Sequence, residues 1–308
     1  MTPNPYAPLL TTAQLIVDRH MFLGLSFSLI TYGIALILFI RTVYILLYQR
    51  KDQHHRNTTL ALSIYLCIAF ALLTTYTMCG MFLKMRALID FREYPGGAAG
   101  YLKTEHSKPI SATMNITGTF VNYVTQGLLL YRCYIVYRDR PWLLCVPLIP
   151  YCATTALGVA LTYKTSRPDK TLWNAVKIGL PYFIVSTLSN VILTGLIAIR
   201  LLLHRRRLNK ICPTHTFGKV YLTASAIFIE SSALNATFSI FFLIPYGIGN
   251  PWSYLVLNTR TEVQFIASCL VIYRMAKQRA WNRRLAEQFS TQTFTQLSSA
   301  VMETIVTS

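Results

Sequence analysis

FLGLSFSLITYGIALILFIRTVYILLY, residues 22–48, carries a single charged side chain, Arg41, in 27 positions. At 1.5 Å rise per residue a helix of that length reaches about 40 Å, more than the ~30 Å of bilayer hydrocarbon. A soluble core helix this long would interrupt its apolar residues with a polar stripe every third or fourth position, and this one does not. Six comparable stretches follow, at residues 58–83, 110–137, 142–163, 176–203, 220–244 and 252–276. The expected architecture is all-α: a polytopic membrane protein folded as a seven-transmembrane helix bundle. The domain division follows, with an N-terminal segment at 1–21, the helix bundle at 22–276 and a tail at 277–308.

Composition agrees with this class. Hydrophobic residues make up 53% of the chain and charged residues 13%, with a mean hydropathy of +0.42. Seven spans and their connections use nearly all 308 residues, which leaves no room for a separate soluble domain. The net charge of +18 is not a nucleic-acid footprint, because the cations sit in short loops and at helix ends. They point to anionic membrane lipids as partners. Six of the seven cysteines lie inside the apolar stretches and none forms a CxxC pair, so they read as small buried hydrophobes. No cleavable signal peptide is visible, and the first stretch is far longer than an h-region of about 7–15 residues. It is expected to act as an uncleaved anchor.

Charge asymmetry predicts orientation. The N-terminal segment and the second, fourth and sixth loops together hold nine Lys or Arg, while the first, third and fifth loops and the tail hold fourteen. The positive-inside rule then puts the N-terminus outside and the C-terminus in the cytoplasm, most simply at the plasma membrane. Arg205, Arg206 and Arg207 in the fifth loop, with Arg283 and Arg284 in the tail, form a cytoplasmic basic surface. That surface is a topology determinant, a contact for anionic lipid, or a docking face for a cytoplasmic signalling partner. In the tail, Trp281, Leu285 and Phe289 recur at i, i+4, i+8, the pattern of a short amphipathic helix on the inner leaflet. The second loop, residues 84–109, begins with KMRALIDFRE, which can prolong the second helix until Pro95-Gly96-Gly97 breaks it. At that length it is a plain connector or a cap over a pocket.

Ionisable side chains within spans are costly, which makes them candidates for function. Glu230 lies in the sixth stretch, and Arg260 and Glu262 lie in the seventh. Counting rise along oppositely running helices puts Glu230 and Arg260 at comparable depth, and a Glu230–Arg260 pair is expected. Arg260 and Glu262 stand about 200° apart around one helix, so Glu262 must face a different polar neighbour. Polar lines accompany them: Asn115, Thr119, Asn122 and Gln126 on the third span, Ser186, Asn190 and Thr194 on the fifth, and Ser231, Ser232 and Asn235 on the sixth. These groups either glue helices together or line a binding site at the bundle centre.

No catalytic motif is present: there is no GxSxG, HExxH or glycine-rich phosphate loop, and the histidines lie outside the spans. An enzyme is not indicated. No metal or other cofactor is indicated either, and residues 251–276 contain no Lys for a retinal Schiff base.

Four segments, DFREYPGGAAGYL at 90–102, LYRCYIVY at 130–137, IAIRLLLHRRR at 197–207 and IESSALN at 229–235, resemble a large group of uncharacterised seven-span proteins of basidiomycete fungi. That resemblance implies GPCR-like topology without implying a ligand. Within it this chain carries Ala98 where Pro is common and Asn235 where Tyr is frequent. The motifs of rhodopsin-like receptors are absent: no acid precedes Arg132, and there is neither NPxxY nor CWxP. The expected function is a receptor-like sensor of a small or lipidic ligand. The alternative is a transporter, channel or lipid-handling protein that uses the buried carboxylates. The expected pair predicts that the exchange Glu230→Arg with Arg260→Glu folds better than either single change, read as the monodisperse fraction on size-exclusion chromatography. Equal failure of all three variants would exclude the pairing.

Overall fold

The computed structural model describes residues 11–49, 56–105, 108–138, 141–165, 172–211, 235–257 and 259–277. At residues 49, 56, 103, 141, 172–178, 201 and 204–211 it describes the backbone alone. The described chain is helical: α1 (Thr12–Gln49), α2 (Arg56–Met85), α3 (Gly97–Glu105), α4 (Pro109–Val136), α5 (Cys145–Thr165) and α6 (Leu172–Ile211). Two further helices follow, α7 (Asn235–Ile248) and α8 (Trp252–Lys277). The described residues contain no strand.

Five helical segments are long and apolar enough to cross a membrane: Thr12–Tyr48, Asn57–Asp90, Trp142–Thr165, Gly179–Arg200 and Trp252–Lys277. They mark an integral membrane protein. The third apolar stretch forms α4, whose 28 residues reach about 42 Å, but its inward polar residues keep it out of that apolar set. The sixth stretch is described only as α7, which is shorter than a full crossing. Helix α1 starts at Thr12, ten residues ahead of the apolar run, and with 38 residues extends well beyond hydrocarbon thickness.

Side-chain placement inverts the pattern of a soluble protein. On α1, Leu23, Phe27, Ile30, Ile34 and Ile37 recur at spacings of four and three and are exposed, while Gly24, Ser28, Ala35 and Thr42 turn inward. Large apolar groups outside with small and hydroxylated ones inside is the distribution expected of helices bathed in lipid. The most enclosed helix is α8, with 76% of its most apolar window buried against 17% for α1 and for α5. Its Phe265, Ile266, Cys269 and Ile272 anchor a cluster with Ala35, Leu73, Val121 and Leu128 from α1, α2 and α4.

Tyrosine hydroxyls tie neighbouring helices without leaving a donor unpaired. Tyr65 of α2 donates to the Val124 carbonyl of α4 at 2.7 Å, Tyr123 of α4 to Thr155 of α5 at 2.8 Å, and Tyr137 to Leu196 of α6 at 3.0 Å. Helix α1 reaches α8 at Gly24, where a Cβ would stand 2.7 Å from the Tyr254 carbonyl oxygen. No larger residue fits there unless the backbones part.

The second loop is more ordered than a connector. Helix α2 runs on through a π-helical turn, Arg86–Asp90, as KMRALIDFRE predicts. The chain then reverses at Gly96 and Gly97, whose φ angles of 92° and 68° exclude most other residues. What the sequence reading lacks is α3, which folds back so that Ala98 and Tyr101 bury against Met21 of α1 and Ala87 of the π turn. Tyr101 also stacks on Phe91 at 4.4 Å between centroids.

The far end of α3 is tethered electrostatically. Glu105 is buried and accepts a hydrogen bond from Lys108 Nζ at 2.5 Å. Burial pushes the Glu105 carboxyl up, but hydrogen bonds from Lys108 and Tyr101 outweigh it and hold its pKa below the usual carboxylate value. A carboxyl lowered on folding contributes stability above the ordinary glutamate range and loses it as pH falls through the lowered value. The protection of α3 amides from hydrogen exchange, taken relative to the intrinsic rate at each pH, is therefore expected to fall on acidification through that range, and to be lower at neutral pH in Glu105→Gln. Unchanged protection in both would show the tether to be idle.

Candidate functional site

The polar residues of α4, α6 and α8 converge on one network. Gln264 Nε2 of α8 donates to Asn122 Oδ1 at 2.5 Å and to Thr125 Oγ1 at 2.8 Å. Asn122 Nδ2 donates to the Tyr182 hydroxyl of α6 at 2.8 Å and to Ser186 Oγ at 3.2 Å. Gln126 Nε2 donates to Ser186 Oγ at 2.9 Å and to Asn122 Oδ1 at 3.2 Å. Every one of these side chains is buried. In a water-free interior each amide must find such partners, because the alternative is an unpaired donor in an apolar medium.

Arg260 enters this network from above Gln264 on the same face of α8. Its Nη2 donates to Ser186 Oγ at 3.3 Å, and its guanidinium lies 4.8 Å from the centroid of Phe183 and 5.9 Å from that of Phe242 on α7. Aromatic faces offer a cation quadrupolar stabilisation, which grows when the pair is desolvated. The expected partner Glu230 lies outside the described residues. Among the described residues Arg260 contacts no carboxylate, and its Nε has no hydrogen-bond partner.

Glu262, two residues on, faces the opposite way, as the 200° separation requires. Its Oε1 accepts hydrogen bonds from Ser28 Oγ of α1 and, at 3.3 Å, from Thr77 Oγ1 of α2. Its Oε2 has no partner, and the side chain is fully buried. The sequence expectation that Glu262 meets a polar neighbour other than that of Arg260 is met, by two hydroxyls on helices not singled out beforehand.

The remaining candidates divide. Asn122 and Gln126 are central. Asn115, expected on the same face, stays outside the network: it is only half-buried and its Nδ2 is unpartnered. The stripe drifts around α4, and Thr119 turns to Thr162 of α5 at 3.2 Å. Asn190 and Asn235 line a cavity of about 30 Å³ between α4, α6, α7 and α8, together with Thr194, Gln264 and Ser268. That is room for about two water molecules. Asn190 Nδ2 is buried there without a partner. Ser231 and Ser232 lie outside the described residues, as do Arg283 and Arg284. Of Arg205, Arg206 and Arg207 only the backbone is described, on the last turns of α6.

Sequence reasoning missed Gln264, Tyr182, Ser28, Thr77 and Lys84. Gln264 was within reach, since it stands four residues after Arg260 and so shares its face. Tyr182 reads as one more aromatic in an apolar helix, and Lys84 as a loop cation, although it is 9% exposed at the end of α2.

Comparison with protein-family models, with curated proteins and with solved structures finds no match. The network carries its own prediction. A double-mutant cycle of Asn122→Ala and Gln264→Ala, followed by unfolding in mixed micelles, is expected to give a coupling of about 0.6–1.7 kcal/mol. A coupling near zero would mean that the two amides do not meet.

Proposed function

We propose that this chain is a receptor-like membrane protein of seven crossings, N-terminus outside and C-terminus cytoplasmic, that senses a small or lipidic ligand within its bundle. In this reading α4 and a full-length sixth span join the five apolar crossings. The charge asymmetry of the loops sets the orientation, and the resemblance to basidiomycete seven-span proteins agrees with it.

One observation carries the reading. A single hydrogen-bonded network links α4, α6 and α8, and hydrogen-bonding groups within it and beside it are unfilled: Gln126 Oε1, Arg260 Nε and Asn190 Nδ2. A ligand that supplies an acceptor to Arg260 or Asn190 gains those bonds only in an arrangement of the helices that admits it. Differential contact of that kind biases one helix arrangement over another. Basic residues on α6 and in the tail then meet anionic lipid or a cytoplasmic partner.

A second reading is favoured by Glu262, a buried carboxyl with one oxygen unfilled in a helix long enough to cross the membrane. Such groups also serve transporters as proton or ion sites. The two readings separate in reconstituted vesicles. Agonist-dependent activation of a cytoplasmic partner without solute or proton flux is expected for the sensor, and flux without a partner would overturn it. Orientation is tested by tags at the two termini of intact cells: antibody is expected to reach the N-terminal tag alone, and access to both or neither would refute an odd number of crossings.

A further inference from the structure

We propose that Glu262 is a proton-binding site, held in this packing as the neutral carboxylic acid with the proton on Oε2. The inference goes beyond the sensor reading, since it depends only on the burial of this side chain and holds for a sensor or a transporter alike.

Three observations lead to it. Glu262 is 0% exposed, deep in a helix whose neighbouring residues are buried on nearly every face. Its hydrogen bonds are one-sided: Ser28 and Thr77 both donate to Oε1, the pattern of a carbonyl oxygen, while Oε2 accepts nothing. A carboxylate would spread its charge over both oxygens and leave one of them unsolvated. Finally, no cation neutralises it, for among the described residues neither ion pair involves Glu262. An isolated charge in such a medium costs far more than a lone hydroxyl donor, and proton uptake from solvent removes the charge.

The groups that face it define what ionisation would do. From α2 come Lys84 and Tyr76, both within electrostatic range. From α1 comes Ser28, which carries no charge. On α8 itself the nearest charge is Arg260, which turns away toward α6 and α7. Lys84 is thus the cation positioned to answer a negative Glu262. It sits one residue before Met85, where α2 gives way to the π turn, and that turn supports α3 through Ala87. Release of the proton to solvent would leave a negative Glu262 with Lys84 as the cation in electrostatic range.

Infrared spectroscopy of the purified full chain in lipid nanodiscs tests this directly. At neutral pH the wild type is expected to show a carboxylic-acid C=O band that is lost in Glu262→Gln, a variant that copies the shape of the neutral acid. Ser28→Ala and Thr77→Val leave the acid in place but remove bonds to its carbonyl oxygen, so the band is expected to move to higher frequency. These two variants keep the test open should Glu262→Gln not fold. Absence of the band in folded wild type at neutral pH would overturn the proposal. So would selective thermal stabilisation by sodium over choline that Glu262→Gln abolishes, because it would identify an ionised carboxylate holding a metal cation.

Discussion

Lipid offers no hydrogen bonds, and this protein is organised around that fact. A polar side chain that cannot turn to water has to be met by another helix, so the most polar crossing becomes the most enclosed one. Helix α8 carries Arg260, Glu262, Gln264 and Ser268 within nine residues, and every helix packed on it brings a complementary group. Ser28 comes from α1, Thr77 from α2, Asn122 and Thr125 from α4, Ser186 from α6 and the Phe242 ring from α7. Taking α8 out would remove a partner from all of them at once.

The outer helices obey the same constraint from the other side. Where α1 and α5 face outward they present mostly large apolar side chains, while Gly24, Ser28, Ala35 and Thr42 of α1 and Thr154 and Gly158 of α5 turn inward beside Met21, Leu46 and Pro147. Small residues bring backbones close, which is how membrane helices gain dispersion energy without a hydrophobic driving force between them. Gly158 is such a point: it stands where Tyr123, Tyr182 and Thr119 crowd against α5, and a Cβ would meet the Tyr182 ring at 3.0 Å. The tyrosine hydroxyls that reach carbonyls on adjacent helices add direction to this packing, since each permits one rotation of the helix pair.

Arg260 and Glu262 are two residues apart and belong to different neighbourhoods. One looks into aromatic rings and the amide network of α4 and α6, the other into hydroxyls of α1 and α2. Because both sit on one rigid helix, a rotation or shift of α8 that relieves one disturbs the other. The bundle therefore has two polar half-sites joined by one helix. Lys84, within electrostatic range of Glu262, lies two residues before the π turn on which α3 packs.

Much of this was legible in the chain itself. Long apolar runs announce helices in lipid because length and hydropathy are local properties: the runs at 58–83 and 252–276 match α2 and α8 closely, and the run at 22–48 lies within the longer α1. Pro95-Gly96-Gly97 announces a break because its backbone preferences are local too. The divergence of Arg260 and Glu262 also follows from the helical repeat alone. What the sequence could not decide was which side chains meet across helices. That Gln264 bonds Asn122, that Ser28 and Thr77 satisfy Glu262, that Asn115 falls outside and that α3 docks on α1 depend on how each helix is rotated about its axis. Rotation is set by the sum of many contacts between segments far apart in the chain, and no periodicity within a single segment contains it.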